Sequence, residues 1–399
     1  MHNTRTITPD LIWIGGSDRR LSLFESNFPI PRGVSYNSYL LRDEQTVLLD
    51  SADTSVSALF FENLAYALDG RTLDYFVIHH MEPDHAALAA EVLRRYPQVK
   101  VVGNAKTFTL LSQFSGDAAF DRIAVKEGDT LSFGKHALTF LTAPMVHWPE
   151  VMVSYDPVDK ILFSADAFGI FGALDGAVFA DEVDFERDWL DDARRYYANI
   201  CGKYGVQVQA LLKKAAGLDI AMICPLHGPV WRQDLDRFIG LYDKWSTYTP
   251  EDDEVCIFAG SMYGGTACAA DLLASLLVQR GLRVKVYDVA GTHPSYLISE
   301  AFRAKGLVFA APTYNNGLFL PMATLLHDLA SVALRGRKVA LIENGSWAPQ
   351  AGKILREELG ALKDMDILPE TFTVKSAMHP DQLPQLEALA DALAAAVRG

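Results

Sequence analysis

Residues 79–87 read HHMEPDHAA, which places His79, His80, Glu82, Asp84 and His85 directly after the apolar run LDYFVI. Imidazole and carboxylate groups are ligands for transition metals. His80, Glu82, Asp84 and His85 form the pattern H-x-E-x-D-H. In an extended segment leaving a strand, alternate side chains point the same way. His80, Glu82 and Asp84 are therefore expected to converge, with His85 adding a fourth side chain. Three later strand ends each deliver one more: His147 in APMVHWP, Asp166 in LFSADAFG and His227 in ICPLHGP. Taken singly, a His or Asp after a strand is ordinarily a turn residue or a cap. His79 also competes with His80 for the functional role. Taken together, the pattern predicts a metal site with room for two ions.

A second set of residues lies in the C-terminal part of the chain. GSMYGGT, residues 260–266, offers the hydroxyls of Ser261, Tyr263 and Thr266, with Met262 between them. Gly264 and Gly265 let backbone N–H groups approach an anion at a helix N-terminus. APTYNNG, residues 311–317, contributes Pro312, Thr313, Tyr314, Asn315, Asn316 and Gly317. ENGSWAPQAG, residues 343–352, contributes Gly345, Ser346, Trp347 and Ala348, with Trp347 a flat partner for a ring. A Gly-Gly-Thr helix start is often only a cap, and Tyr314 or Trp347 could serve as core aromatics. Three such loops at strand ends of one sheet suit a mononucleotide with a flat ring, hence FMN. No G-x-G-x-x-G follows the first strand of this region, which disfavours a dinucleotide.

The elements that must position these residues change along the chain. The first half alternates short β-rich runs with turns, and VMVSYDP and ILFSADAF flank VDK as a hairpin. Helical patterns include HAALAAEVLRRYP and the long run from Asp188 to Ala215. Sheets packed between helices follow from this order. YTPEDDE, residues 248–254, reads as a linker. Beyond it, five strands alternate with helices, as in a doubly wound parallel sheet. The 399 residues thus divide into 1–249 and 250–399. A net charge of −14 argues against a nucleic-acid partner. Four cysteines without a C-x-x-C pair, no apolar run of membrane-spanning length and no signal-peptide core lead to the expectation of a cytoplasmic protein.

The metal spacing resembles the metallo-β-lactamase superfamily, whose hydrolases carry H-x-H-x-D-H with further His and Asp downstream. Here Glu82 stands where the hydrolases have their second His. Imidazole-rich sites suit zinc, whereas mixed carboxylate and imidazole sites suit iron. Together with the flavin loops, the pattern resembles the flavodiiron proteins (A-type flavoproteins) over nearly the whole chain. APMVHWP and RRYYANI are similar to family segments as well.

The resemblance implies an α/β fold, an N-terminal metallo-β-lactamase-like αββα sandwich followed by a flavodoxin-like doubly wound parallel sheet. It implies one iron on His80, Glu82 and His147, a second on Asp84, His85 and His227, and Asp166 as bridge. His85 faces the metal in some members and turns away in others. Tyr197 resembles a tyrosine beside the substrate. The implied activity is reduction of O2 to water, NO to N2O, or both, with electrons relayed by FMN. The implied assembly is a head-to-tail homodimer, or a dimer of such dimers. Domains of about 250 and 150 residues have radii of gyration of roughly 18 and 15 Å, too large for rapid transfer between two distant sites of one chain.

The sequence shows no rubredoxin-like Cys pairs, so a separate donor is expected, such as rubredoxin or a reduced flavin or deazaflavin. Gly265 departs from a family pattern with Asn or Ser there, and Pro349 stiffens a loop that is usually richer in glycine. Two other classes compete. One is a metal-dependent hydrolase with an accessory flavodoxin-like domain, and the other is an FMN electron carrier or redox sensor.

Overall fold

The computed structural model describes residues 1–116 and 120–399. The backbone forms two units, residues 1–197 with 204–243, and residues 244–399 with 198–203. No helix among the described residues is long and apolar enough to cross a membrane.

The first unit holds two main sheets. One runs in the order Arg5–Thr6, Leu11–Trp13, Tyr39–Arg42, Thr46–Leu49, Tyr75–Val77, Lys100–Gly103, Asp121–Ala124. The other runs Thr130–Ser132, Ala137–Thr142, Met152–Asp156, Ile161–Phe163, Met222–Cys224. Leu40, Leu48, Phe76 and Val77 of the first and Val153, Leu162 and Ile223 of the second are buried. Each such side chain taken out of water stabilises the fold by about 1.5–3 kcal/mol. Polar ties fix one sheet on the other. The Tyr39 hydroxyl donates to the Pro225 carbonyl at 2.8 Å, and the Asn37 amide donates to Pro225 and Gly228. Outside the sheets, Ser57–Leu68 buries Phe60, Phe61 and Leu64 and stops at Asp69, whose φ of 49° is left-handed. Asn104 and Thr107 cap Ala105–Ser115 reciprocally.

The hairpin around VDK forms, with Met152–Asp156 antiparallel to Ile161–Phe163. The long helical run does not stay continuous. It is α-helical over Leu190–Tyr196, widens to a π turn over Tyr197–Cys201, tightens over Gly202–Tyr204 and resumes over Gly205–Ala215. Gly202 and Gly205 lower helix propensity where the break occurs.

In the second unit five parallel strands lie in the order Val284–Asp288, Asp252–Ala259, Ala304–Tyr314, Lys338–Asn344, Asp366–Val374. Numbered along the chain this is 2-1-3-4-5, so the winding reverses beside the first strand. Ligands bind at that switch point, at the carboxyl ends of the strands. Gly265–Gln279 and Leu383–Arg398 pack Leu273, Leu277, Leu386 and Leu393 against Val255, Ile257, Val308 and Ile342.

Candidate functional site

Strand ends deliver the metal-binding side chains. His80 follows Tyr75–Val77, Asp166 follows Ile161–Phe163 and His227 follows Met222–Cys224. The alternation expected for residues 80–84 holds only in part. His80 and Glu82 converge, but Pro83 begins a short helix, Pro83–Ala86, and carries Asp84 and His85 to the other side. Two groups result. Ligand-capable atoms of His80, Glu82, His147 and Asp166 lie within 4.8 Å of one another, as do those of Asp84, His85 and His227.

Asp166 faces both groups. Its Oδ2 lies 3.4 Å from His80 Nε2 and 3.2 Å from His147 Nε2. Its Oδ1 lies 3.0 Å from His85 Nε2 and 3.8 Å from His227 Nε2. Glu82 Oε2 is 2.9 Å from His147 Nε2 and 3.2 Å from His80 Nε2. Asp84 Oδ2 is 3.1 Å from His227 Nε2. His85 is turned inward, with its ring centroid 4.5 Å from that of His227. Ala165 and Phe168, on either side of Asp166, hold φ of 51° and 67°. Such conformations persist where surrounding structure imposes them. Gly228 has a φ of 78°, and a Cβ there would meet Ile170 at 2.8 Å, so only glycine lets the chain turn after His227.

His79 and His80 differ in what their rings face. The His79 ring is buried with Nδ1 2.6 Å from Asp50 and Nε2 2.7 Å from the Ser154 hydroxyl, so both nitrogens are used. His80 has Nδ1 2.8 Å from Glu150 Oε1, which leaves Nε2 aimed into the cluster. Asp50 Oδ1 also accepts the His79 amide and so sets the backbone that presents His80.

The electrostatics call for a cation. Burial alone lowers the His80 imidazole, but Asp166, Glu150 and Glu82 outweigh it and hold it well above its usual range. His147 is likewise lowered by burial but raised on balance to about 9 by Asp166 and Glu82. Burial pushes the Asp166 carboxyl up, yet His85 and His80 pull it well below its ordinary value. Acids this crowded draw protons onto the histidines, and metal ions would take the place of those protons. Both oxygens of Asp84, both ring nitrogens of His85, Asp166 Oδ1 and His227 Nε2 are buried without a hydrogen-bond partner among the described residues. Buried polar atoms are rarely left so. The donor set, four imidazoles and three carboxylates, fits two iron ions.

Other acid clusters differ. Among Glu254, Cys256 and Glu300 sits the guanidinium of Arg303, and beside His136, Asp156 and Asp159 stands Lys135, paired with Asp10. These already contain their cation.

Sequence reasoning missed two acids. Glu150, three residues after His147, is buried behind His80. Its one signal was a carboxylate at the start of an apolar strand. Glu25 is an exposed residue, but its carboxyl lies against Glu82. Loss of water, then the hydrogen bond and charge of Glu82, push it up to about 8. The carboxyl end is turned into the pocket while the rest of the residue stays exposed. Tyr197, expected beside the substrate, packs against Tyr242 with ring centroids 5.0 Å apart. Its neighbour Tyr196 lies 5.6 Å from His227, ring centroid to ring centroid. Phe24 and Tyr36 flank His227 at 5.4 and 5.9 Å.

The flavin loops enclose a cavity of about 590 Å³. Ser261, Met262, Tyr263, Gly265, Thr266, Pro312, Thr313, Asn315, Asn316, Gly345, Ser346, Trp347 and Ala348 line it. Gly264, Tyr314 and Gly317 stand outside the lining, while Asn344 and Ser376 join it. Gly264 caps Gly265–Gln279 with a φ of 90°. Asn315 and Asn316, at φ of 49° and 62°, make the turn that pairs Tyr314 with Gly317. Gly265 has a local cause, because a Cβ there would lie 2.1 Å from the Ser376 carbonyl oxygen. Asn344 holds Ser376 in place by donating to its carbonyl and accepting its amide. Thr313 Oγ1 accepts the amides of Gln350 and Ala351, which fixes the loop containing Pro349. Trp347 is 87% and Tyr263 98% exposed, so neither is a core aromatic. A cavity of this size, at a helix N-terminus and bordered by flat side chains, fits FMN.

Residues 34–228 match the family model "ODP family beta lactamase". An anaerobic nitric oxide reductase flavorubredoxin of Pectobacterium carotovorum is 33% identical over 376 residues, covering 92% of this chain and 73% of that protein. Relatives of this kind are longer, and the chain spans 65 to 77% of their length. The flavodiiron protein of Giardia intestinalis superposes with a TM-score of 0.93 at 26% identity, over 99% of this chain and 96% of that one. Rubredoxin oxygen:oxidoreductase of Desulfovibrio gigas gives 0.92 at 28% identity, over 99% and 98%. The metallo-β-lactamase-like domain and the flavodoxin-like parallel sheet expected from the sequence are thus both present. On these matches the chain belongs to the flavodiiron proteins, a family of oxidoreductases.

Proposed function

We propose that this chain reduces O2 to water, NO to N2O, or both, at a di-iron centre supplied with electrons by FMN. The observation that carries the reading is Asp166, whose two oxygens face two separate groups of histidines. His80, Glu82 and His147 would hold one iron, and Asp84, His85 and His227 the other. Asp166 would serve both. Two ferrous ions there would supply a template for the small substrate and electrons for its reduction. The protein's part is to hold the Nε2 atoms and three carboxylates in place and to keep water from the His227 side with Phe24, Tyr36 and Tyr196. Tyr196 is therefore favoured over Tyr197 as the tyrosine beside the substrate.

The metal domain is taken as residues 1–249 and the flavin domain as 250–399. FMN would lie in the cradle with its phosphate at the N-terminus of Gly265–Gln279 and its ring against Trp347 or Tyr263. A head-to-tail homodimer, alone or as a pair of dimers, accounts for aromatics left in solvent around the cradle. A separate donor fits as well: rubredoxin, as named for the Desulfovibrio gigas protein, or a reduced flavin or deazaflavin. Four free cysteines, three of them buried, suit a reducing cytoplasm.

Anaerobic purification, metal analysis and a visible spectrum test the cofactors, and stopped-flow mixing of the reduced protein with O2 and with NO tests the activity. Iron at two per chain with FMN and rapid oxidation by either gas is expected. Zinc without flavin would indicate a hydrolase, and FMN without metal an electron carrier.

A further inference from the structure

The two metal positions differ in what stands behind their histidines. Behind His80 is Glu150, 1% exposed, whose Oε1 lies 2.8 Å from His80 Nδ1 and accepts the Met81 amide at 2.9 Å. Its Oε2 is buried with no hydrogen-bond partner among the described residues. Behind His227 is the neutral Ser35 carbonyl, 2.7 Å from Nδ1. His85 Nδ1 has no hydrogen-bond partner among the described residues. The His80 position therefore has a carboxylate reached through an imidazole that the His227 position lacks, besides the Glu25 carboxyl that lies against Glu82.

A carboxylate behind a ligating histidine fixes its tautomer and makes it a stronger donor. A stronger donor and an added buried negative charge both favour the higher charge on the metal. We propose that Glu150 makes the two irons unequal, so that the first electron to leave a diferrous centre leaves the ion on His80. This rests on the di-iron reading above. The step is a one-electron loss, from Fe(II)Fe(II) to Fe(III)Fe(II), with the electron taken by an electrode or mediator dye. No bond breaks, and the Nδ1 proton stays between His80 and Glu150. In this role Glu150 is a positioning residue that also tunes the redox balance.

Glu150→Gln separates charge from position. The Gln carbonyl oxygen can still accept from His80 Nδ1 and the Met81 amide, and its amide nitrogen replaces an oxygen that has no partner. Wild type and Glu150→Gln are loaded anaerobically with 57Fe, iron is counted, and Mössbauer spectra are recorded at stepped potentials. In wild type the mixed-valent form should exceed half of all centres at its maximum. In Glu150→Gln, with iron content and circular dichroism unchanged, the lower-potential couple should move up by a factor of ten or more in its equilibrium constant, about 59 mV for one electron. The upper couple should move less, and the mixed-valent yield should fall. A lower couple that does not move, or two couples that move together, would overturn the proposal. So would a wild type whose mixed-valent form never exceeds half. Should Glu150→Gln lose iron, Glu150→Asp replaces it. Drawing the carboxylate back by one methylene should raise the lower couple more than the upper, and an unmoved lower couple overturns the idea. A wild type that binds no iron would instead defeat the di-iron reading itself.

Discussion

At the metal pocket, seven buried side chains aim nitrogen and oxygen atoms into two groups that Asp166 faces, with several of those atoms left without hydrogen bonds among the described residues. At the flavin cradle, the helix N-terminus, small residues and short turns do the shaping, and the largest aromatics stand in solvent. One site is defined by what its side chains are, the other by where its backbone can go. The difference tells where each is fragile. The pocket should fail when a ligand atom is deleted, and the cradle when an atom is added.

The largest effect should come from Asp166→Ala. Because its two oxygens face two groups, both metals should weaken together, beyond the roughly 10–100-fold in metal affinity attached to a supporting residue. Metal analysis after dialysis measures this, and full retention of iron would remove Asp166 from the centre. Adding atoms to the cradle comes next. Gly265→Val places carbon against the Ser376 carbonyl, a strain of about 1–3 kcal/mol. FMN affinity should fall correspondingly while iron content stays unchanged. Loss of iron along with FMN would break the contrast between the two sites.

His136 sharpens the comparison from outside both sites. Asp156 and Asp10 flank its ring at 2.8 and 3.1 Å, with Asp43 at its amide and Asp159 and Lys135 nearby. Burial lowers its imidazole, but Asp10 and Asp156 outweigh this and leave it raised. A raised folded value stabilises fully below the unfolded value near 6.5 and is lost as pH rises through the folded value. His136→Gln should therefore cost about 1.5–3 kcal/mol near pH 6 and clearly less near pH 9, as read by urea unfolding. Equal losses at both pH values would show that the ring is not charged. Trp347→Ala should have the smallest effect, about 0.5–1.5 kcal/mol of FMN binding from lost ring stacking. Equilibrium dialysis of flavin checks it.

How much of this was legible in the sequence follows from the same contrast. The side chains gathered at the candidate metal site could be read because imidazole and carboxylate at strand ends carry their chemistry in their names. The split between His80–Glu82 and Asp84–His85 was less legible, since it depends on Pro83 starting a helical turn within the motif. Glu150 escaped because its meaning lies in a hydrogen bond across 70 positions of chain. Ser376 escaped because it lies after the fifth strand and contributes a backbone carbonyl, which no residue type announces. The 2-1-3-4-5 sheet was visible as regular alternation, but its strand order was not. The π turn at Tyr197–Cys201 reads as ordinary helix in the sequence.

The exposure of Trp347 has an optical consequence. Of six tryptophans, Trp13, Trp189, Trp231 and Trp245 are buried and Trp148 is half-buried. In the separate chain, red-shifted emission and ready quenching by acrylamide should therefore belong mainly to Trp347. Bound flavin absorbs where tryptophan emits, so loading the cradle should darken that component first. A chain docking over the cradle should shield it from acrylamide. One native side chain thus reports, without any label, whether the cradle is empty, filled or covered.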